Sequence, residues 1–228
     1  MSAALLNILQ LADPALPIGG FSHSAGLETY VQLNIVKDRE SATIFITEML
    51  SRNLCYTDAA FVSLTYDAAE NNDLQNILNL DEECTAVKLP SEIRQASKKL
   101  GMRLLKLFEP VLTETIVTSF NREVQIQNST ANHCIVFGLI AQALGISKKE
   151  ALAGFYYNAA AGFVTNCVKL IPLGQQDGQE ILFSLLPLMH ELATQSLQPD
   201  KDLIGMCCTG FDIRSMQHEQ LYSRLYMS

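Results

Sequence analysis

Residues Ala151 to Ile171 run for 21 positions with Lys169 as the only charge. At 1.5 Å per residue such a helix is about 30 Å long, enough to cross a bilayer. Its apolar side chains are periodic, however. Leu152, Phe155, Tyr156, Ala159, Ala160, Phe163, Val164, Cys167, Val168 and Ile171 recur at i, i+3 or i+4, and Asn158, Thr165 and Asn166 interrupt them. That pattern belongs to a helix buried on nearly all sides by protein, and no membrane association is expected. A chain built round such a helix has to supply other helices to cover it.

It does so along its whole length, and strand signals are nearly absent. Leu5–Leu11 reads as a short helix stopped by Asp13-Pro14. Pro14, Pro17, Gly19 and Gly20 then force a turn-rich link. A second helix resumes near Ser24 with Leu27, Tyr30, Val31 and Ile35. Asp38 reads as the N-cap of Ser41–Arg52, and Thr57 or Asp58 as the cap of the next helix. Residues Asn71–Pro90 are polar and acidic, with at most a short helix at Leu74–Leu80. Pro90-Ser91 opens a long helix with an apolar stripe of Ile93, Ala96, Leu100, Leu104 and Leu107. Its other face carries Arg94, Lys98, Lys99, Arg103 and Lys106, which reads first as a solvated face.

Farther on, Pro110–Thr118 suggests a short helix and Asn121–Thr130 a loop. Asn132–Leu144 is helical, Gly145 fits the position after a helix end, and Ser147 with Glu150 spells a capping box. Asp177–Thr194 reads as one helix containing Pro187, Ser196–Asp202 as a linker, and Phe211 to Met227 as a last amphipathic helix. The expectation is an all-α bundle of roughly ten helices in a single domain, residues 1–228, and a homodimer.

Composition narrows the function. The chain has 228 residues, 48% of them apolar, which excludes an intrinsically disordered protein. Sixteen basic residues against 24 acidic ones give a net charge of −8, so nucleic-acid binding is not expected. Six cysteines stand without CxxC spacing, and the opening residues lack a basic secretory n-region. Reduced thiols and a cytoplasmic location are the simplest account. No phosphate-binding GxxxxGK[ST], no GxSxG and no HExxH occurs, so no catalytic residue is assigned. Four histidines and Cys207-Cys208 are the available borderline ligands. A protein-only metal centre is not expected, and His218, Cys207 and Cys208 are the candidates for weak contacts to a borderline divalent metal.

Four blocks carry a resemblance. The stretch Asp13-Pro-Ala-Leu-Pro-Ile-Gly-Gly-Phe-Ser-His-Ser-Ala-Gly-Leu-Glu28 resembles the N-terminal signature of the urease accessory protein family UreF. Ala96–Leu105 resembles its central helix, and His133–Gly145 with Val168–Gln175 its long-helix region. Asp212–Tyr226 resembles its C-terminal tail, in the form found in Helicobacter-like urease systems.

The resemblance implies an all-helical, dimeric assembly factor with no enzymatic activity and no cofactor of its own. Such proteins bridge the accessory protein UreH (also called UreD) and the GTPase UreG, and the assembly, which handles nickel and GTP, delivers the metal to apo-urease. The N-terminal signature (about 1–30) would then face UreG and UreH through Pro17, Gly19, Gly20, Phe21, Ser22, His23 and Glu28. The tail (about 211–228) would bind UreH/UreD through Met216, His218, Glu219, Tyr222, Arg224 and Leu225. Lys169 and Gln175 are further interface candidates. The alternative is a GTPase-activating regulator of UreG that uses an exposed arginine, Arg94 or Arg103.

Overall fold

A computed structural model describes residues 3–20, 23–206, 208–222 and 224–226. Among these, every regular element is helical. The α-helices are α1 (Ala3–Leu11), α2 (Leu27–Gln32), α3 (Arg39–Glu48), α4 (Asp58–Glu70), α5 (Leu74–Val87) and α6 (Ser91–Phe108). They continue with α7 (Thr115–Gln125), α8 (His133–Ala143), α9 (Lys148–Leu170), α10 (Gln175–Ser184), α11 (Leu186–Gln195) and α12 (Thr209–His218). A π-helical turn, Met49–Asn53, and a 3-10 turn, Leu54–Tyr56, carry α3 towards α4. The fold is all-α, as the periodicity predicts.

α8 lies at the centre. Every residue from Cys134 to Ala141 is buried, with α4 and α6 packed along the helix and α5, α7 and α9 closing the rest. Gly138 permits the α4 contact: a Cβ there would stand 2.6 Å from the Val62 carbonyl oxygen. α9 forms the second axis, covered by α11, α10, α4, α1 and α3. No helix among the described residues is long and apolar enough to cross a membrane.

Local signals fix several boundaries. Asp38 caps α3 through the Ser41 N–H at 2.9 Å, and Ser41 returns a hydroxyl contact to the Asp38 N–H. Ser147 and Glu150 form the expected box at α9. Thr57 stands at the N-cap of α4 but makes no capping bond, because its hydroxyl donates back to the Asn53 carbonyl.

Elsewhere the expectations need correction. Residues 74–87 form a four-turn helix, twice as long as the short helix expected at 74–80. Ile77, Leu80 and Cys84 make its inner stripe, and Asp81 sits inside with them, 1% exposed. That carboxylate accepts the backbone N–H groups of Thr130, Ala131 and Asn132 at 2.6, 3.0 and 2.8 Å, together with the Ser129 hydroxyl at 2.7 Å. It thereby holds the loop that starts α8 at its positive, N-terminal end.

The helix expected at 110–118 lies at 115–125, where Ile116, Val117, Phe120 and Val124 face inward. Leu107 is exposed, while Leu105 and Phe108 join the core. The single helix expected across 177–194 is two, because Pro187 opens α11 where a missing N–H costs nothing. Ile35 lies beyond α2, and α12 ends at His218 rather than near 227.

Replacing Asp81 by Ala leaves several buried N–H donors without an acceptor. We expect about 3 kcal/mol of lost stability, read as a lower urea midpoint, with Asp81→Asn intermediate.

Candidate functional site

The two segments singled out at opposite ends of the sequence meet in space. α2 begins after Gly26, whose φ of 77° admits a left-handed turn and whose bare Cα lets α12 approach. A Cβ there would lie 2.7 Å from the Ser215 hydroxyl. α12 packs against α2 and α6, so His218 at its end points between them.

His218 is 1% exposed. Its Nδ1 lies 2.7 Å from Glu92 Oε2, and its Nε2 lies 3.2 Å from Glu28 Oε2. Arg224 donates to the other oxygen of Glu92 at 2.6 Å. Glu28 accepts the Leu225 N–H at 2.8 Å on Oε1 and the Tyr226 N–H at 3.3 Å on Oε2. Glu219 accepts the Glu92 N–H at 3.4 Å. Two carboxylates, from α2 and the first turn of α6, thus gather the end of the chain.

This arrangement turns several of the tail's apolar side chains outward. The imidazole of His218 and the guanidinium of Arg224 bond to the body and Tyr226 turns inward, while Ile213, Met216, Tyr222 and Leu225 are exposed, Leu225 by 72%. The hydroxyls of Ser24, Thr29, Ser215 and Tyr226 are buried with no protein partner among the described residues. Polar clamping and under-satisfied hydroxyls make a closure that costs less to open than an apolar one.

Other candidates have separate places. Pro17 and Gly20 are exposed, and Gly19 adopts φ 87° where the Arg103 guanidinium crosses it to donate to the Ile18 carbonyl at 3.0 Å. His23 gives its carbonyl to Asn166 at 2.9 Å. Burial, with Lys99 and Arg103 nearby, holds its ring below the usual histidine range. Phe21, Ser22 and Cys207 lie outside the described residues. Lys169 and Gln175 are exposed at the α9–α10 corner and make no bond to the clamp. Cys208 stands at the far end of α12 from His218, about 15 Å along the axis, so the two are not gathered at one ion. Among the described residues no three His, Cys, Asp or Glu side chains form a metal-ready group.

Beneath the N-terminal segment lies a cavity of about 260 Å³, lined by His23, Met49, Phe155 and Phe163 and by His133 beside the Lys88–Asp58 pair. Lys88 donates to both Asp58 oxygens at 2.8 and 2.7 Å. Burial alone would raise the Asp58 carboxyl, but the Lys88 charge and hydrogen bonds outweigh it and leave it below its ordinary value. Burial pushes His133 down to about 4, with Asp58 opposing and Lys88 assisting.

Glu92 is the member of the His218 cluster that sequence reasoning passed over. It sits one residue into an ordinary helix start, and only its distant partners mark it. Of the candidate arginines, Arg94 is spent on the carbonyls of Lys88 and Leu89, at 2.6 and 2.5 Å. Arg103 is tied to Ile18.

Comparison with known proteins agrees with the four sequence blocks. The family model UreF matches residues 36–186. The chain belongs to the UreF family. It is 48% identical over 221 residues to the urease accessory protein UreF of Actinobacillus pleuropneumoniae serotype 5b, covering 97% of each chain. The UreF of Haemophilus influenzae strain PittEE is 44% identical, covering 97% of this chain and 94% of its own. That of Bacillus sp. strain TB-90 is 33% identical, covering 98% and 99%. UreF proteins are accessory chaperones rather than enzymes, and this UreF chain is of that kind.

Two outcomes are expected. Glu92→Gln frees Arg224 and weakens the hold on His218, so trypsin should cut after Arg224 about tenfold faster with the bundle intact. His133, neutral when folded, contributes stability that is full above its ordinary 6.5 and is lost as pH falls towards about 4. His133→Gln should flatten that part of the acid limb of a urea-midpoint series.

Proposed function

We propose that the chain acts in urease maturation as a scaffold, with its N-terminal segment and clamped tail serving as one docking site. UreH/UreD binds the tail, UreG is held alongside, and nickel passes within the assembly to apo-urease. The chain works as a homodimer in the cytoplasm, carries no cofactor of its own, and handles nickel only as cargo of the complex. The relatives' name, urease accessory protein, supports the pathway. The tail's outward apolar side chains support the manner.

That tail is the observation that carries the reading. An isolated protein lowers its free energy by turning Tyr and Leu inward and charges outward. Here the order is reversed over one short segment, with Met216, Tyr222 and Leu225 projecting. Aromatic and methionine side chains of this kind form the centres of protein interfaces. Glu28, Glu92, His218 and Arg224 fix the backbone beforehand, which lowers the ordering cost of association.

The alternative, a GTPase activator, requires an arginine that can leave its own fold for a nucleotide. Arg94 and Arg103 are both bonded to backbone carbonyls, so no observation favours it.

The test replaces Tyr222 and Leu225 by Asp, two exposed positions whose change leaves the melting temperature alone. Binding to UreH/UreD is expected to weaken about a hundredfold, since each buried anchor contributes on the order of 1–2 kcal/mol. Removal of residues 211–228 should abolish it while the bundle stays folded. Unchanged co-purification with UreH/UreD after both changes overturns the tail assignment.

A further inference from the structure

α6 is a basic element in an acidic protein. Residues 91–108 hold five cations and one carboxylate, in a chain whose net charge is −8. The one carboxylate, Glu92, has both oxygens occupied by His218 and Arg224, and Arg94 is turned inward onto two carbonyls. The outward face is left to Lys98, Lys99, Arg103 and Lys106, all exposed, around Met102, which is 45% exposed. Among the described residues no ion pair engages Lys98, Lys99 or Lys106. A merely solvated helix on an acidic protein would draw neighbouring carboxylates to itself. The carboxylates nearest this one are engaged elsewhere, Glu92 by His218 and Arg224, Glu219 by the Glu92 N–H and Glu109 by Asn121, and it shows an unbranched apolar side chain in its middle.

We propose that this face docks an acidic helical segment of a partner protein. Lys98 and Lys106 are about 12 Å apart along the axis. Carboxylates at i, i+4 and i+7 of a second helix span about 10 Å, so one helix laid alongside at 8–10 Å meets both lysines. Lys99 and then Arg103 continue the cationic edge on the Lys106 side of the face, away from Lys98. Met102 then rests against an apolar side chain of the incoming helix, and its flexible thioether adapts to the shape it meets. A nucleic acid fits less well. The face holds no aromatic ring on which bases could stack, and the negative body repels a polyanion at long range.

The face is distinct from the tail's apolar residues, so it can fail while the scaffold reading stands, and the reverse. Arg103, bonded to the Ile18 carbonyl, joins it to the N-terminal segment.

The experiment uses the full chain and fluorescence anisotropy. One probe is a labelled amphipathic peptide helix with glutamates at i, i+4 and i+7 and leucines between them. The second is the same peptide with serine for leucine, and the third is single-stranded oligothymidine of equal charge. We expect the leucine peptide to bind tightest and to weaken steeply with salt. Lys98→Glu with Lys106→Glu should weaken it about tenfold or more, and Met102→Ala about threefold. Helicity and melting temperature report the fold, and the milder pair Lys98→Gln with Lys106→Gln should act in the same direction with a smaller loss. The proposal is overturned if the wild-type chain does not bind the leucine peptide, or if the folded charge variants bind it unchanged. It is equally overturned if oligothymidine or the serine peptide binds as tightly.

Discussion

Two carboxylates closing on one imidazole hold the two ends of this chain together. Glu28 comes from the first turn of α2, Glu92 from the first turn of α6, and His218 from the last residue of α12. None of the three has enough solvent to remain comfortable alone. Removing one member of a buried ionic group typically costs about 3–5 kcal/mol, because the remaining charges are left uncompensated. The group therefore behaves as a unit, and Arg224 with the Leu225 and Tyr226 N–H groups completes it. It replaces the apolar packing that would ordinarily seat a terminal segment, and so leaves the tail's apolar side chains for use elsewhere.

Beneath that closure the bundle obeys ordinary helix packing. α8 is buried along nearly its whole length and α9 along a face from Ala151 to Cys167, with α4 burying Ala59 to Ser63 in succession beside them. A firm interior with a polar cover divides the work between different carboxylates: Asp81 anchors the start of α8, while Glu28 and Glu92 hold the tail. The basic face of α6 begins at Lys98, nearly two helical turns beyond Glu92, so one helix carries both the clamp and a charged flank.

Much of the fold was legible because it rests on local signals. The stripe at 151–171, the cap at Asp38 and the box at Ser147 each state their structure within a few residues. What stayed hidden depended on distant partners. Asp81 lies in a stretch that read as polar and acidic because its donors lie about fifty residues on, and the helix expected at 74–80 covers only the first half of α5. Residues 121–125 looked like loop because their polar side chains face out while Phe120 and Val124 face in. The tail's helical pattern was real up to His218 and was then overruled by bonds from Glu28 to the backbone. At the site, Glu28, His218, Arg224 and Leu225 were readable through family resemblance. Glu92 was not, since a glutamate in a helix's first turn has a sufficient local reason to be there.

The central claim is that the tail's charges face the protein and its apolar side chains face a partner. Hydroxyl-radical footprinting of Met216, Tyr222 and Leu225, in the free chain and in the complex with UreH/UreD, reads this side chain by side chain. The account requires heavy labelling of all three in the free chain and strong protection in the complex. Protection already present in the free chain, or labelling undiminished in the complex, would contradict it.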